Sequence, residues 1–179
     1  MRVVGGVARG RRLVAPPGDT TRPTIDRVRE AIFNALWSRG LVADARVLDL
    51  FAGSGANGIE ALSRGAAHAT FVDTDANARK AIAENLATTG LADRADLVAD
   101  RAERFLQRNP GRYDLAICDP PYAFDGWDAL LAALPADFVV METDVEPTLP
   151  SDWKVIRCTR YGRTWVTFGA SLNREGGGE

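Results

Sequence analysis

Two short segments of this chain combine residue types that could do chemistry, and the more specific one is Asp119-Pro120-Pro121-Tyr122. Consecutive prolines stiffen the turn and remove two N–H donors, so the remaining polar groups are acceptors: the Asp119 carboxylate and the Pro120 carbonyl. The Tyr122 ring can stack on a planar group. These residues predict a site that holds an exocyclic amine and orients its lone pair for in-line attack on an electrophilic methyl carbon. A plain Pro-Pro turn is the alternative.

The second segment is a glycine-rich loop with the sequence DLFAGSGANG, beginning at Asp49. Its three glycines, at the spacing G-x-G-x-x-G, are Gly53, Gly55 and Gly58. Glycines let the backbone approach a ligand closely, and a helix start offers free N–H groups. A nicotinamide dinucleotide would also suit this spacing, but Phe51 and Ala52 precede the first glycine, and the charge of Asp49 would oppose a pyrophosphate. A carboxylate beside a glycine loop instead favours S-adenosylmethionine, which carries an ammonium group.

Acidic residues end the next two predicted strands. Asp73 lies 24 residues after Asp49, close to the offset of about 20 residues at which an acid binds ribose hydroxyls. Asp75 is a near alternative. Asp100 ends the third strand and could reach the amino group of an adenine. Each acid by itself would more often cap a helix, but successive strand ends converge on one crevice, which favours a shared ligand site.

A regular alternation of strands and helices must position these residues. From residue 46 onwards this alternation predicts parallel β-α-β units. The expected strands are Arg46–Leu50, Ala69–Asp73, Asp96–Ala99, Asp114–Cys118 and Phe138–Glu142. Lys154–Cys158 and Thr164–Phe168 are too close in sequence for a helical crossover, so they should form an antiparallel hairpin. We therefore predict an α/β fold: a doubly wound, Rossmann-like, mostly parallel seven-stranded sheet with ligands at the carboxyl ends of its strands.

The first 40 residues differ from the remainder in charge. They hold eight arginines and three acidic residues, a net charge of +5, whereas the rest of the chain carries −7. Short strands around residues 3–4 and 13–14 predict a small β-hairpin, and a helix to about Trp37 should follow. We expect a basic N-terminal extension over residues 1–40 and one domain over residues 41–179. The extension fits a polyanionic partner, although a solubilising charged face would look the same.

Composition excludes several other classes of protein. The chain is 46% hydrophobic and 26% charged, which is ordinary for a globular domain. No apolar run approaches the roughly 18–20 residues that span a bilayer, and the N-terminus has no long apolar leader. Two cysteines and one histidine, His68, make neither a disulfide framework nor a four-ligand zinc site, so no metal is expected. We expect a cytoplasmic monomer with no membrane partner.

Together the two segments resemble the class I S-adenosylmethionine-dependent methyltransferases that modify exocyclic amines. Further stretches narrow the resemblance to the bacterial 16S rRNA guanine-N2 methyltransferase family, the RsmD type, over about residues 2–168. Those stretches are Val3–Gly6, Gly10–Leu13, Thr21–Asn34, Gly58–Ala66 and Tyr161–Thr164. Asn57 departs from the family pattern, in which an apolar residue is usual, and this difference concerns the packing of the helix after the loop.

The resemblance implies an enzyme that transfers a methyl group from S-adenosylmethionine to N2 of one guanine, guanine 966 of 16S rRNA, and releases S-adenosylhomocysteine. Its substrate would be the rRNA or the small ribosomal subunit. By motif position, the cofactor-binding residues would be Asp49, Phe51, Gly53, Gly55, Asp73 and Asp100. The guanine, extruded from its helix, would be held by Asp119, Pro120, Pro121 and Tyr122. The arginines expected to contact rRNA phosphates are Arg2, Arg9, Arg11, Arg12 and Arg22.

Other functions stay open at this point. An adenine-N6 methyltransferase acting on DNA or RNA would use the same Asp119-Pro-Pro-Tyr122 segment, because adenine also presents an exocyclic amine. A non-catalytic RNA-binding assembly factor could retain the fold, although the intact motifs argue against it. A nicotinamide enzyme would be recognised by tight NAD binding without binding of S-adenosylhomocysteine.

Overall fold

The structure is a computed structural model that describes residues 1–17, 23–108, 111–121 and 124–174. Two predicted site residues, Arg22 and Tyr122, lie outside the described residues. The helices are α1 (Pro23–Trp37), α2 (Ala56–Ser63), α3 (Ala76–Thr89), α4 (Ala102–Gln107) and α5 (Trp127–Ala133). The strands are β1 (Arg46–Leu50), β2 (His68–Val72), β3 (Ala95–Val98), β4 (Tyr113–Cys118), β5 (Ala136–Thr143), β6 (Trp153–Tyr161) and β7 (Thr164–Ser171). None of these helices is long and apolar enough to cross a bilayer.

All seven strands form one sheet in the order β3-β2-β1-β4-β5-β7-β6. The first five are parallel, and β7 runs antiparallel between β5 and β6. This confirms the predicted doubly wound sheet with its C-terminal hairpin. The strand order reverses between β1 and β4, so the carboxyl ends of these two strands flank the crevice in which such sheets bind ligands.

The C-terminal hairpin is longer than predicted. Pairing continues to Tyr161 and Thr164, across a two-residue turn in which Gly162 has a φ of 62°. A turn of this length keeps the twist of the two strands continuous when its first residue has a positive φ, which glycine adopts without strain. The strand β5 also starts two residues early, at Ala136, because it pairs there with Tyr113 of β4.

Helices cover both faces of the sheet and divide the core in two. One face packs against α1, α2 and α3, with fully buried side chains such as Phe33, Ile59 and Ile82. The other face packs against α4 and α5, through residues such as Phe105 and Leu130. Side chains of one strand alternate between these two cores, as the period of two in a β-strand requires.

The N-terminal hairpin is smaller than predicted. Instead of two strands, residues 1–14 form a single antiparallel bridge between Arg2 and Arg12, flanked by the hydrogen bond from the Val3 N–H to the Arg11 carbonyl. The backbone between these ends forms tight turns, makes the hydrogen bond from the Gly10 N–H to the Val3 carbonyl, and also bonds to α2. The Val7 N–H, for example, donates to the Ser63 carbonyl at 2.8 Å.

Side chains of α2 and α3 hold this N-terminal segment on the domain. Glu60, fully buried, accepts from the Val4 N–H at 2.8 Å and pairs with Arg64 at 2.6 Å. Asn85 of α3 exchanges two hydrogen bonds with the backbone of Val14. The extension is therefore packed on the sheet domain through much of its length, and the boundary at residue 40 stays a prediction.

The packing of the N-terminal segment on α2 can be tested at the Ser63 hydroxyl. It donates to the Gly5 carbonyl at 2.6 Å and accepts from the buried Ala8 N–H at 2.9 Å. Ser63→Ala leaves both groups without this partner, so we expect the free energy of unfolding to fall by about 1–3 kcal/mol in a denaturant titration. Ser38→Ala is the matched control, because Ser38 is exposed and bonds only within its own helix end. Equal losses in the two variants would contradict the docking.

Candidate active site

The glycine loop between β1 and α2 has a backbone that few residues other than glycine adopt. Gly53 and Gly55 have φ values of 55° and 74°, and Phe51 has a φ of 60° although it is not glycine. A positive φ at an aromatic residue is strained, and such strain is frequent at ligand sites. A Cβ on Gly53 would meet nothing within 4 Å, so this side of the loop is open.

Asp49 lies beneath the loop and holds it. Its side chain is buried, with 1% exposure, and it accepts a hydrogen bond from the Gly58 N–H at 2.8 Å. A Cβ at Gly58 would lie 2.3 Å from the ring of Phe71, so only glycine lets the backbone come this close. Gly58 is a structural residue of the site that is not among the cofactor-binding residues predicted above, although the third glycine of the spacing pointed to it.

Burial changes the acidity of Asp49. Desolvation raises the pKa of Asp49 to about 8, with the Gly58 hydrogen bond opposing the rise and the charges of Asp119 and Asp73 adding to it. The carboxyl groups of Asp49, Asp73 and Asp119 therefore lie close enough to interact. The sequence predicted such a convergence for Asp49, Asp73 and Asp100; the first two lie close together, and Asp119 joins them.

Asp73 joins the glycine loop to the end of β2. Its two carboxylate oxygens accept from the N–H groups of Gly53 and Asp75, each at 2.8 Å. Asp75, the near alternative, instead caps α3 by accepting from the Ala78 N–H. Asp73 is therefore the acid that lies beside the loop, with the open side of Gly53 next to it.

Asp100 lies two residues beyond β3 and already has cationic neighbours. Its carboxylate forms ion pairs with Arg108 at 2.9 Å and with Arg104 at 3.9 Å, and its side chain is 7% exposed. The expected contact with an adenine amino group stays a prediction, because it requires the carboxylate to accept from a ligand in addition to these arginines.

Asp119 and the two prolines follow β4 directly, beside the glycine loop. Cys118 pairs with Leu50, so the segments after β4 and β1 leave the sheet side by side. Asp119 and Pro121 are exposed and Pro120 is half-buried. The structure thus places Asp119, Pro120 and Pro121 at the reversal of strand order, next to the loop that carries Phe51.

A row of aromatic rings connects the two loops. The Phe124 ring lies edge-on to that of Phe51, with centroids 5.3 Å apart, and to that of Trp127, with centroids 5.2 Å apart. Edge-to-face pairs of this kind are favourable beyond their buried area. No sequence pattern connects Phe124 with Phe51, because their contact exists only in the folded chain.

Glu142 is a further acidic residue at this site that the sequence reasoning missed. It lies near the end of β5 and is half-buried. Burial raises its pKa, as do the charges of Asp119 and Asp49, while Arg29 of α1 lowers it. The available signal was an acid at the carboxyl end of a fifth strand, the same signal that identified Asp49, Asp73 and Asp100.

No nucleophile or base of another type competes with these carboxylates among the described residues near the loops. Cys118 is fully buried in the sheet, and burial raises the pKa of its thiol, which keeps it protonated. His68 is the first residue of β2, at the amino end of the strand and away from the loops, and its ring pairs with Asp96 at 2.9 Å.

The basic N-terminal segment borders the glycine loop. The Ser54 hydroxyl contacts the Met1 sulfur at 3.6 Å, and the Asn85 amide donates both to the Ser54 carbonyl and to that of Val14. The start and the end of the segment therefore both lie next to the loop. The described arginines of residues 1–17 are all exposed: Arg2, Arg9, Arg11 and Arg12.

The strand order, the reversed β7 and a glycine loop at the β1–β4 crevice together define a class I methyltransferase fold. A family model described as "Conserved hypothetical protein 95" matches residues 1–170, and the chain belongs to this family, the RsmD type of S-adenosylmethionine-dependent methyltransferase. The match covers both the basic segment and the sheet domain.

Individual relatives agree with this membership. The chain is 38% identical over 172 residues to "Ribosomal RNA small subunit methyltransferase D" of Escherichia coli K12, which covers 88% of this chain and 83% of that one. It is 41% identical over 183 residues to "Putative rRNA methyltransferase YlbH" of Bacillus subtilis, covering 94% and 97%. The solved structure of "Putative methyltransferase yhhF" from Escherichia coli superposes with a TM-score of 0.84 at 36% identity, covering 96% and 97%.

The buried carboxyl of Asp49 predicts a pH dependence of stability. In the folded chain its pKa is about 8, against 3.8 for the ordinary group, so the folded state retains a proton that the unfolded state has released between these values. The free energy of unfolding should therefore fall as the pH rises from about 4 to about 8, by up to about 1.4 kcal/mol per pH unit. Asp49→Asn should remove this contribution, so wild type loses stability relative to the variant as pH rises in denaturant titrations.

The control for this measurement is Asp44→Asn. Asp44 is exposed and has a φ of 60°, a conformation that asparagine accepts as readily as aspartate. Its curve should run parallel to that of wild type. If the Asp49→Asn curve also stays parallel, the buried carboxyl does not retain its proton.

Proposed function

We propose that this protein transfers a methyl group from S-adenosylmethionine to the exocyclic N2 amine of one guanine in 16S rRNA, in the cytoplasm. The relatives named above support an rRNA substrate, because one is named for the small-subunit rRNA and both align over most of their length. The family's guanine, 966, is proposed for this chain as its target.

The observation that carries the proposal is the position of Asp119-Pro120-Pro121. This segment leaves β4 at the reversal of strand order and lies beside the glycine loop that follows β1. An amine held there by acceptor groups would face a methyl donor held by the loop. Such positioning accounts for a large part of the rate of a two-substrate reaction.

The loop residues fit S-adenosylmethionine. The open side of Gly53 offers space where a side chain would otherwise stand, and Asp73 beside it has carboxylate oxygens that can accept from ribose hydroxyls. The cofactor, when bound, supplies an electrophilic methyl group on a positively charged sulfur. Its proposed contacts are Asp49, Phe51, Gly53, Gly55, Asp73 and Asp100.

The residues after β4 would orient the acceptor. The Asp119 carboxylate and the Pro120 carbonyl accept the two N–H groups of the guanine N2 amine, which directs its lone pair at the methyl carbon. The proline at position 121 donates no competing hydrogen bond. As the N–C bond forms and the S–C bond breaks, the negative charge of Asp119 would stabilise the positive charge that develops on nitrogen, and the amine would then release one proton to solvent. Tyr122 is proposed to stack on the extruded base.

The exposed arginines of the N-terminal segment would hold the RNA. Arg2, Arg9, Arg11 and Arg12 project from a segment that borders the glycine loop, so RNA bound along it would pass close to the crevice. Arg22 belongs to the same basic stretch of sequence. Guanidinium groups form paired hydrogen bonds with phosphate oxygens, which suits this role.

The proposed reaction is tested by mass spectrometry of nucleosides. Purified protein and S-adenosylmethionine are incubated with undermodified small ribosomal subunits and, separately, with naked 16S rRNA and DNA. We expect N2-methylguanosine at one site, and the preferred substrate reveals whether the enzyme acts before or after assembly. N6-methyladenosine as the product would favour the adenine alternative, and the absence of any product would contradict the proposed function.

Asp119→Ala should abolish methyl transfer and leave binding of S-adenosylhomocysteine nearly unchanged. The carboxylate would accept the amine, so its loss should lower kcat at least about 100-fold. Calorimetric titration with S-adenosylhomocysteine provides the binding readout. Asp128→Ala, an exposed change in the first turn of α5, is the control and should retain wild-type turnover. Near wild-type turnover in Asp119→Ala would remove Asp119 from the acceptor site.

Replacing Arg11 and Arg12 together by glutamine should weaken RNA binding and flatten its salt dependence. Each phosphate contact that is lost releases about one fewer counterion, so the slope of log K against log salt should become shallower by about 2. Arg39→Gln with Arg46→Gln is the control, since these exposed arginines precede or begin β1 at the edge of the sheet away from the loop. An unchanged slope in the Arg11 and Arg12 variant would exclude the segment from the RNA site.

A further inference from the structure

Glu142 lies level with Asp119 across two adjacent strands. Cys118 at the end of β4 pairs with Met141 of β5, so the next residue of each chain segment is Asp119 on one side and Glu142 on the other. The charge of Asp119 acts on Glu142 strongly enough to raise its pKa. Glu142 therefore borders the same crevice as the acceptor segment.

The side chain of Glu142 belongs to the face of the sheet that packs against α1, α2 and α3. Ile117 and Val140 pack into the core beneath α1, α2 and α3, whereas Cys118 and Met141 pack into the opposite core. Alternation along a strand returns Glu142 to the face of Val140, under α1. Arg29 of α1 acts on Glu142 from that side, which confirms the assignment of the face.

The Glu142 carboxyl has no hydrogen-bond partner within the described ranges. Arg29 acts on Glu142 through its charge, whereas its hydrogen bonds among the described residues go to the Asp26 carboxylate and to the Arg2 carbonyl. Glu142 therefore presents acceptor oxygens at the mouth of the crevice that the described side chains leave unoccupied, and a bound base could donate to them.

Guanine and adenine differ at the atom next to the reacting amine. Guanine presents an N1–H donor beside its N2 amine, whereas adenine presents the N1 lone pair beside its N6 amine. An acceptor placed next to the amine site therefore favours guanine and opposes adenine, since a site built for a hydrogen-bond donor strongly rejects an analogue that lacks it.

We propose that Glu142 is a specificity-determining residue, whose carboxyl accepts the N1–H of the target guanine while Asp119 and Pro120 hold its N2 amine. This inference rests on the proposed function and adds the reason why the site would select guanine over adenine. An N–H donated by the substrate also favours the charged form of the carboxyl, which burial otherwise opposes.

The test changes the base, removing the N1 proton together with O6, and changes one side chain of the protein. Small subunits are reconstituted with 16S rRNA ligated from segments, which carries either guanosine or 2-aminopurine riboside at the position methylated by the wild-type enzyme. 2-Aminopurine keeps the N2 amine but has a lone pair at N1. Wild type should prefer guanosine in kcat/KM by about 100-fold, the range expected for a hydrogen bond to a charged group.

Two variants should each reduce the preference for guanosine over 2-aminopurine at least about tenfold, one by losing activity on guanosine and the other by gaining activity on 2-aminopurine. Glu142→Leu removes the acceptor, so activity on guanosine falls while activity on 2-aminopurine does not. Glu142→Gln keeps the shape and can donate to the N1 lone pair, so activity on 2-aminopurine rises. A merely structural role would change both substrates in parallel and leave the ratio unaltered. Glu146→Leu, an exposed change four residues later, should keep the wild-type ratio.

Each outcome separates this inference from the function on which it rests. If wild type forms N2-methylguanosine and both variants keep the wild-type ratio, the specificity role of Glu142 is overturned and the proposed function stands. If wild type forms no N2-methylguanosine, both fail. Thermal unfolding and binding of S-adenosylhomocysteine, expected to match wild type in Glu142→Gln, verify that the variants are folded.

Discussion

A carboxyl group buried beneath a glycine loop holds the site of this protein in shape. The Asp49 carboxyl accepts a hydrogen bond from the Gly58 N–H, within the first turn of α2, and so connects β1 to the start of that helix. The contact requires a backbone without a side chain at Gly58, because Phe71 occupies the space a Cβ would take. Burial of an ionisable group is costly, yet here it determines where the loop runs and in which direction its open side faces.

The helix α2 also holds the basic N-terminal segment in place. On α2, the residues after Gly58 include Glu60 and Ser63, which bind the backbone of Val4 and Ala8. The loop that would hold the cofactor and the segment that would hold RNA are thus supported by one eight-residue helix. A methyltransferase needs its two substrates in register to within a fraction of an ångström, and a shared rigid element is a direct way to achieve this.

Several site residues were readable from the sequence because they follow strands. Asp49, Asp73 and Asp119 stand at strand ends, and parallel strands bring such ends together in any sheet of this type. The same reasoning did not identify Glu142, because the predicted strand ends at this residue and nothing in the sequence shows that it faces the crevice. Arg29 was counted in a basic extension, but it is 3% exposed and pairs with Asp26, so the charge displayed to a polyanion is smaller than the sequence sum.

What the sequence by itself determined is local and periodic: the alternation of strands and helices, the glycine spacing, and the rigid acceptor segment at Asp119. These follow from backbone preferences and hydrophobic patterning over a few residues, which act within each segment. Only the tertiary structure decided which distant groups meet: Phe51 with Phe124, Glu142 with Asp119, and the N-terminal segment with α2. Those contacts depend on strand register and on helix packing across the sheet, and both are set by the whole chain rather than by the residues that make the contact.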